Sequence, residues 1–240
     1  MIRLFFMLGV VYFLSITNIY SQDSYVTLLD SITGIETSGL YNGPRYYELY
    51  KNTNTNTIYF KSTDFVEGSV IYDNQPYFNT KLKFNLNEDL LICKPEGDKS
   101  FFSFILIPEK IKEFTLKNHK FVRLKNNEIL EPFYANGFFE AAYSGEKLTL
   151  YTKHQKSIKT MLNKKNVSYK FLFNNTYFLH FKNQYYKIKS AKSIRKVLPE
   201  INREIKDFFK AYKKLNAEDT DLFMVKLINY LDKNLVNAKT

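Results

Sequence analysis

The chain has 240 residues, 45% of them hydrophobic and 25% charged, with a formal net charge of +11 and one cysteine. The apolar fraction excludes wholesale disorder, and the length suits one domain with at most a small appendage. One Cys excludes both an internal disulfide and a thiolate metal site within a single chain.

The positive charge invites a nucleic-acid reading, because Lys and Arg neutralise phosphates. Arg, however, stands only at positions 3, 45, 123, 195 and 203, whereas bidentate recognition of phosphates and base edges favours the guanidinium fork. Lys, Asn, Ile, Tyr and Phe are also the residues that A/T-rich codons supply. No nucleic-acid partner is therefore expected, and weak attraction to an anionic membrane or glycan is the contact left by charge alone.

Residues 1–3 form a short basic start, 4–16 an almost unbroken apolar run, and 17–22 a polar stretch containing Ser21. This is the pattern of a secretory signal peptide cut after Ser21. The run is shorter than the ~20 residues that span a bilayer. No other apolar run of spanning length follows, so the expected mature chain, from Gln22 on, has no transmembrane segment.

From residue 46 to about 189 short alternating runs are separated by turn residues, the period of strands. Residues 69–73 and 76–80 flank Asn74-Gln75 as a tight hairpin, with Pro76 at a strand start or sheet edge. Leu82, Phe84 and Leu86 alternate with Lys83 and Asn85, predicting an apolar face with the polar residues toward water. A return strand follows over 89–93, and the apolar run 101–107 reads as a strand covered on both sides. Residues 111–116 and 120–124 pair around a turn at 117–119, and 137–143 pair with 147–153 across Ser144-Gly145. A last pair, 168–173 and 176–181, turns at Asn174-Asn175 and leads into a strand over 185–189.

The period then changes. Ile194, Leu198, Ile201, Ile205, Phe208, Tyr212 and Leu215 recur every three or four residues, the stripe of a helix. Pro199 suits a helix start, so a short helix over 191–197 and a longer one over 199–214 are expected. Asn216 would begin a third carrying Leu222, Val225, Ile228, Leu231 and Leu235. The expected architecture is mainly β with an α tail. An antiparallel meander over 22–189, as roll, sandwich or open barrel, precedes two or three helices over 190–240 packed upon it.

The segments Gly39-Leu40-Tyr41-Asn42-Gly43, Gly68-Ser69-Val70-Ile71-Tyr72-Asp73-Asn74-Gln75-Pro76-Tyr77 and Lys189-Ser190-Ala191-Lys192-Ser193-Ile194, with the Ser21-Gln22 junction, carry a resemblance. They are similar to a family of uncharacterised secreted proteins from flavobacteria and other Bacteroidota. The resemblance covers most of the mature chain and implies export across the inner membrane of a Gram-negative cell, to the periplasm or beyond. It transfers no catalytic residue.

Searches for chemistry return little. There is no G-x-S-x-G elbow and no Gly-rich phosphate loop. His119, His154 and His180 lack helical metal-pair spacing, and read as a turn residue, a strand end and a wetter-face residue. Neither a catalytic set nor a cofactor nor a metal site is assigned. Cys93 alternates into the sheet interior. Glu140, between Phe139 and Ala141, is the carboxylate whose burial would raise its pKa and suit acid catalysis, with Asp73 as the first partner to test. Lys187, Lys189, Lys192, Arg195 and Lys196 form the candidate anionic-ligand surface, the first two sharing a strand face and the others spaced by three and four on a helix. The expected function is that of an exported, non-enzymatic envelope protein that binds or scaffolds an envelope component. The alternative is a glycan hydrolase using Glu140 and a second carboxylate.

Overall fold

The computed structural model describes residues 39–53, 55–95, 101–163 and 166–237. The signal-peptide expectation lies outside the described residues. Among these residues are twelve strands: β1 (Val66–Tyr72), β2 (Gln75–Asn85), β3 (Leu90–Lys94), β4 (Phe104–Ile105), β5 (Ile111–Leu116), β6 (His119–Arg123), β7 (Phe138–Ser144), β8 (Thr149–Lys153), β9 (Lys156–Asn163), β10 (Asn166–Phe173), β11 (Thr176–Phe181) and β12 (Gln184–Ile188). Ten form one antiparallel sheet in the order β12-β11-β8-β7-β6-β5-β1-β2-β3-β4, and β9 and β10 form a separate two-stranded sheet. The tail holds α1 (Ala191–Val197), α2 (Asn202–Ala211), α3 (Lys213–Glu218) and α4 (Thr220–Asn237). The protein is thus mainly β with a helical tail. Among the described residues no helix is long and apolar enough to cross a membrane.

The large sheet curls without closing. Phe84 on β2 and Phe121 on β6 are three strand steps apart, yet their ring centroids are 5.1 Å apart, and Phe84 also meets Phe114 and Phe138 edge-on. A flat sheet would separate β2 from β6 by roughly 14 Å. The concave face is therefore filled by phenylalanines, each contributing about 2–3 kcal/mol by burial.

Farther along the same face, Leu150, Tyr177, Leu179 and Ile188 pack beneath Ile194, Ile201, Ile205, Phe223, Leu227 and Leu231. The helices cover this end because the 3.6-residue stripe of the tail meets the two-residue alternation of the strands. Ser190 and Ser193 cap α1 reciprocally, and Pro199 opens a single 3-10 turn before α2. Asp219, rather than Asn216, caps α4, accepting the Leu222 amide at 2.9 Å. One carboxylate fixes the helical layer to the sheet. Asp232 accepts the backbone amides of Glu146, Lys147 and Leu148 at 3.0, 2.9 and 2.7 Å. Gly145 is required at this join, since a Cβ there would lie 2.1 Å from Asp232 Oδ2.

Several expectations give way to tertiary contacts. Lys83 and Asn85 do not face water. A second layer containing Ile58, Tyr59 and Phe171 covers that side of β2 and β3. The Lys83 ammonium sits 4.4 Å from the Tyr59 ring centroid, and Asn85 donates to Glu88 at 2.6 Å. The run 101–107 contributes only the two residues of β4, and Phe101 is exposed. The hairpin near residue 74 turns on Asp73-Asn74, one residue earlier than expected, with φ of 53° and 64°, the left-handed pair that Asp and Asn tolerate. β10 pairs with β9, which the strand reading passed over, while β11 pairs with β8 and β12.

Candidate functional site

At the middle of the sheet, where the phenylalanine core gives way to the helix-covered end, Glu140 on β7 pairs with Phe121 on β6 and Thr152 on β8. Strand alternation turns its side chain to the concave face, where it is buried. His119 opens β6 instead of lying in the turn, and His154 follows β8. His119 Nδ1 and His154 Nε2 each approach a different Glu140 oxygen at 2.5 Å. Phe60 packs on both imidazoles, with centroid separations of 5.1 and 5.0 Å.

Burial would by itself raise the Glu140 pKa. The hydrogen bond and charge of His154, together with the hydrogen bond of His119, outweigh it and hold the carboxyl below its ordinary range. This corrects the expectation of a raised pKa: two imidazoles stabilise the carboxylate more than desolvation penalises it. Lys61 Nζ lies 3.0 Å from His119 Nε2. An ammonium can only donate, so Nε2 accepts and Nδ1–H points at Glu140. Lys61 reaches this position from a left-handed backbone conformation, φ 54°.

The cluster thus runs Lys61, His119, Glu140, His154, with both carboxylate oxygens and the outward nitrogen of His119 engaged. Among the described residues no group of three or more His, Cys, Asp or Glu is arranged to hold a metal ion. Asp73 does not complete a carboxylate pair. The register from Glu140 through Phe121 and Phe114 reaches Val70 on β1, and Asp73 lies three residues beyond it. The two carboxylates therefore stand on opposite sides of three strand steps, with Asp73 in the turn that follows β1. Asp73 instead pairs with Lys110 at 3.1 Å at the surface.

Other buried ionisable groups are likewise held internally. Lys153 bonds Asp89 at 2.6 Å, and burial lowers the lysine's pKa. Lys156 donates to the carbonyls of Thr57 and Tyr59 at 2.6 and 3.1 Å, and burial pushes its pKa down to about 8. Cys93 fills the concave core, and burial pushes its thiol up to about 12. That pKa leaves it as thiol at neutral pH. A cavity of about 240 Å³ at the helix-covered end is lined, among the described residues, by Lys147, Phe181, Lys182, Glu200 and Leu235.

The structure divides the candidate basic surface. Lys187 lies on the β12 face opposite the helices, its ammonium 4.0 Å from the Phe133 ring centroid. Lys189, just before α1, and Lys192 and Lys196 within it are exposed. Arg195 is half-buried and turned back toward Asn202, with Nη1 3.4 Å from Oδ1. The sheet therefore separates Lys187 from the helical cations, because successive side chains of β12 leave on opposite faces and the neighbouring Ile188 faces the helices.

The positive charge extends well beyond these five residues. Residues 147–199 contain twelve Lys and one Arg and no Asp or Glu. This block covers β8 through α1 and carries the β9–β10 hairpin as well as the α1 cations. No family model, curated protein or solved structure matches the chain.

Proposed function

We propose that the protein is exported and acts without catalysis, binding or scaffolding an anionic constituent of the Gram-negative cell envelope. The carboxylate-free block 147–199 carries this reading. A solvated surface of a basic protein ordinarily mixes both signs of charge, whereas a block of one sign creates a field that concentrates anions. The interior supports the non-catalytic half of the proposal, because Glu140 and Asp232 spend both of their oxygens on internal donors. The resemblance to secreted Bacteroidota proteins supports the compartment.

The test is binding to phosphatidylglycerol vesicles and to soluble dextran sulfate across a salt series, with Lys189, Lys192 and Lys196 changed together to Glu. Binding should weaken as salt shortens the Debye length toward about 8 Å at physiological ionic strength. The triple variant should bind more weakly than wild type. Salt-independent binding, or none to either anion, refutes the proposal.

A further inference from the structure

Lys61 reaches His119 from a strained turn. The Ser62 amide donates to the Phe60 carbonyl at 2.7 Å, closing a three-residue γ-turn, and Lys61 at its centre has φ 54°. A γ-turn of this sign is rare and costly for a residue bearing a Cβ. Such strain persists where the surroundings enforce it, and it gathers at functional sites. Here the Phe84 carbonyl of β2 holds the Phe60 amide at 2.9 Å, and the Phe60 ring packs on His119 and His154. The turn is thereby fixed against the imidazoles.

Its effect is to bring two nitrogens that both accept positive charge, Lys61 Nζ and His119 Nε2, to 3.0 Å. Around the imidazole, Glu140 on β7 holds Nδ1, and its other oxygen is taken by His154 beyond β8. The β5 neighbour of His119 is Leu116, which carries no charge, while Glu113 of β5 pairs with Lys120 at 2.8 Å on the opposite face of the sheet. His154 keeps only 4% of its side-chain surface and His119 keeps 28%, so the imidazole within reach of dissolved ions is that of His119. Lys61 is exposed as well.

Adding a proton to Nε2 turns it from acceptor to donor. Nε2–H and the Lys61 ammonium then face one another as donors with no acceptor between them, a conflict that one oxyanion resolves by accepting from both. We infer that Lys61 and His119 form a binding site for a sulfate- or phosphate-type oxyanion, and that its occupation takes up one proton from solvent on His119 Nε2. Neighbouring oxygens of one tetrahedral group suit donors this close, and both contacts are charge-assisted. Glu140 and Phe60 are positioning residues: they aim Nε2 and do not touch the anion. Lys61 and His119 lie outside residues 147–199, so the site is independent of the envelope reading and is tested separately from it.

Inorganic sulfate is the probe, because its charge is constant between about pH 5 and 8, the range over which imidazoles change theirs. It is titrated into the chain from Gln22 on at fixed pH and ionic strength, with chloride as the balancing anion, and followed by the nitrogen-15 signals of the histidine rings. Sulfate should convert His119 Nε2 from an unprotonated to a protonated signal and leave His154 unmoved. Affinity should rise as pH falls, toward roughly tenfold per pH unit, the slope of one-proton uptake. Lys61→Met, at an exposed position, should weaken binding roughly tenfold, and His119→Gln should remove the pH dependence. The variant with Lys189, Lys192 and Lys196 changed to Glu should bind sulfate as wild type does.

Dextran sulfate in the same titration separates the sources of the anion. A His119 response to both probes assigns the site to any accessible oxyanion, and a response to dextran sulfate alone assigns it to a group carried on a polymer. Sulfate affinity that does not change with pH, protonation at His154 in place of His119, unchanged binding by Lys61→Met, or no His119 response to either probe overturns the inference.

Discussion

Glu140 is the residue whose environment makes the most definite demand on experiment. Its carboxylate accepts from two imidazoles at 2.5 Å in a buried setting. In Glu140→Gln the side-chain length is kept, but the carboxamide has one acceptor oxygen and one donor nitrogen. One imidazole keeps its acceptor; the other faces an NH2 group and loses a charge-assisted bond, worth about 1.5–3 kcal/mol. Relief of carboxylate desolvation offsets part of this, so the expected loss is ~2 kcal/mol at pH 7.

The pH dependence has a definite sign. The folded-state pKa of Glu140 is lowered, so its contribution is fully present above the unfolded value, about 4.3, and disappears as pH falls through the lower folded value. Urea unfolding of both proteins from pH 7 to pH 3 should show a gap that persists above about pH 4.5 and narrows below it. A gap under 0.5 kcal/mol at pH 7 by the ~2 kcal/mol scale above, or one unchanged at pH 3, would refute the assignment of Glu140 as the ionised centre of the cluster.

Asp232→Ala removes the acceptor for three backbone amides of the β7–β8 turn and should cost about 3–5 kcal/mol in urea unfolding, whereas Tyr143→Phe, losing one hydroxyl contact to the same carboxylate, should cost about 1 kcal/mol. Ile205→Asp places a charge among the fully buried residues between α2 and the sheet and should lower stability by several kcal/mol, roughly 3–5; an unchanged melting temperature would mean that the helical layer is not docked. Intact-mass measurement of secreted protein should give a chain beginning at or near Gln22, and recovery with Met1 retained would remove export by a cleaved signal peptide.

Local physics left a readable record along much of the chain. Two-residue alternation marked Leu82, Phe84 and Leu86 as buried, the change to three- and four-residue spacing marked the start of the helical tail, and Ser144-Gly145 marked the β7–β8 turn. These signals are local because each depends on which face a residue presents within its own element. Burial of Glu140 was also suggested by its apolar neighbours, Phe139 and Ala141. Its role was not, because the sign of a pKa shift depends on which groups arrive from elsewhere. His119 and His154 stand 21 and 14 residues away in sequence, and only the adjacency of β6, β7 and β8 brings them to opposite oxygens of one carboxylate.

The same limit explains the other differences. Lys83 and Asn85 carry a solvent-facing pattern, but a second layer from residues 58–65 and the β9–β10 hairpin covers them, and no periodicity within β2 records what will pack on it. Lys187 belongs with Lys189 and Lys192 in sequence, and a single sheet separates it from the α1 cations. The sequence by itself determined the element types, the apolar faces and the concentration of positive charge in residues 147–199. Tertiary structure decided which strands are neighbours, which polar groups are buried and which cations share a surface, because those properties arise from contacts between elements whose separation along the chain carries no local signal.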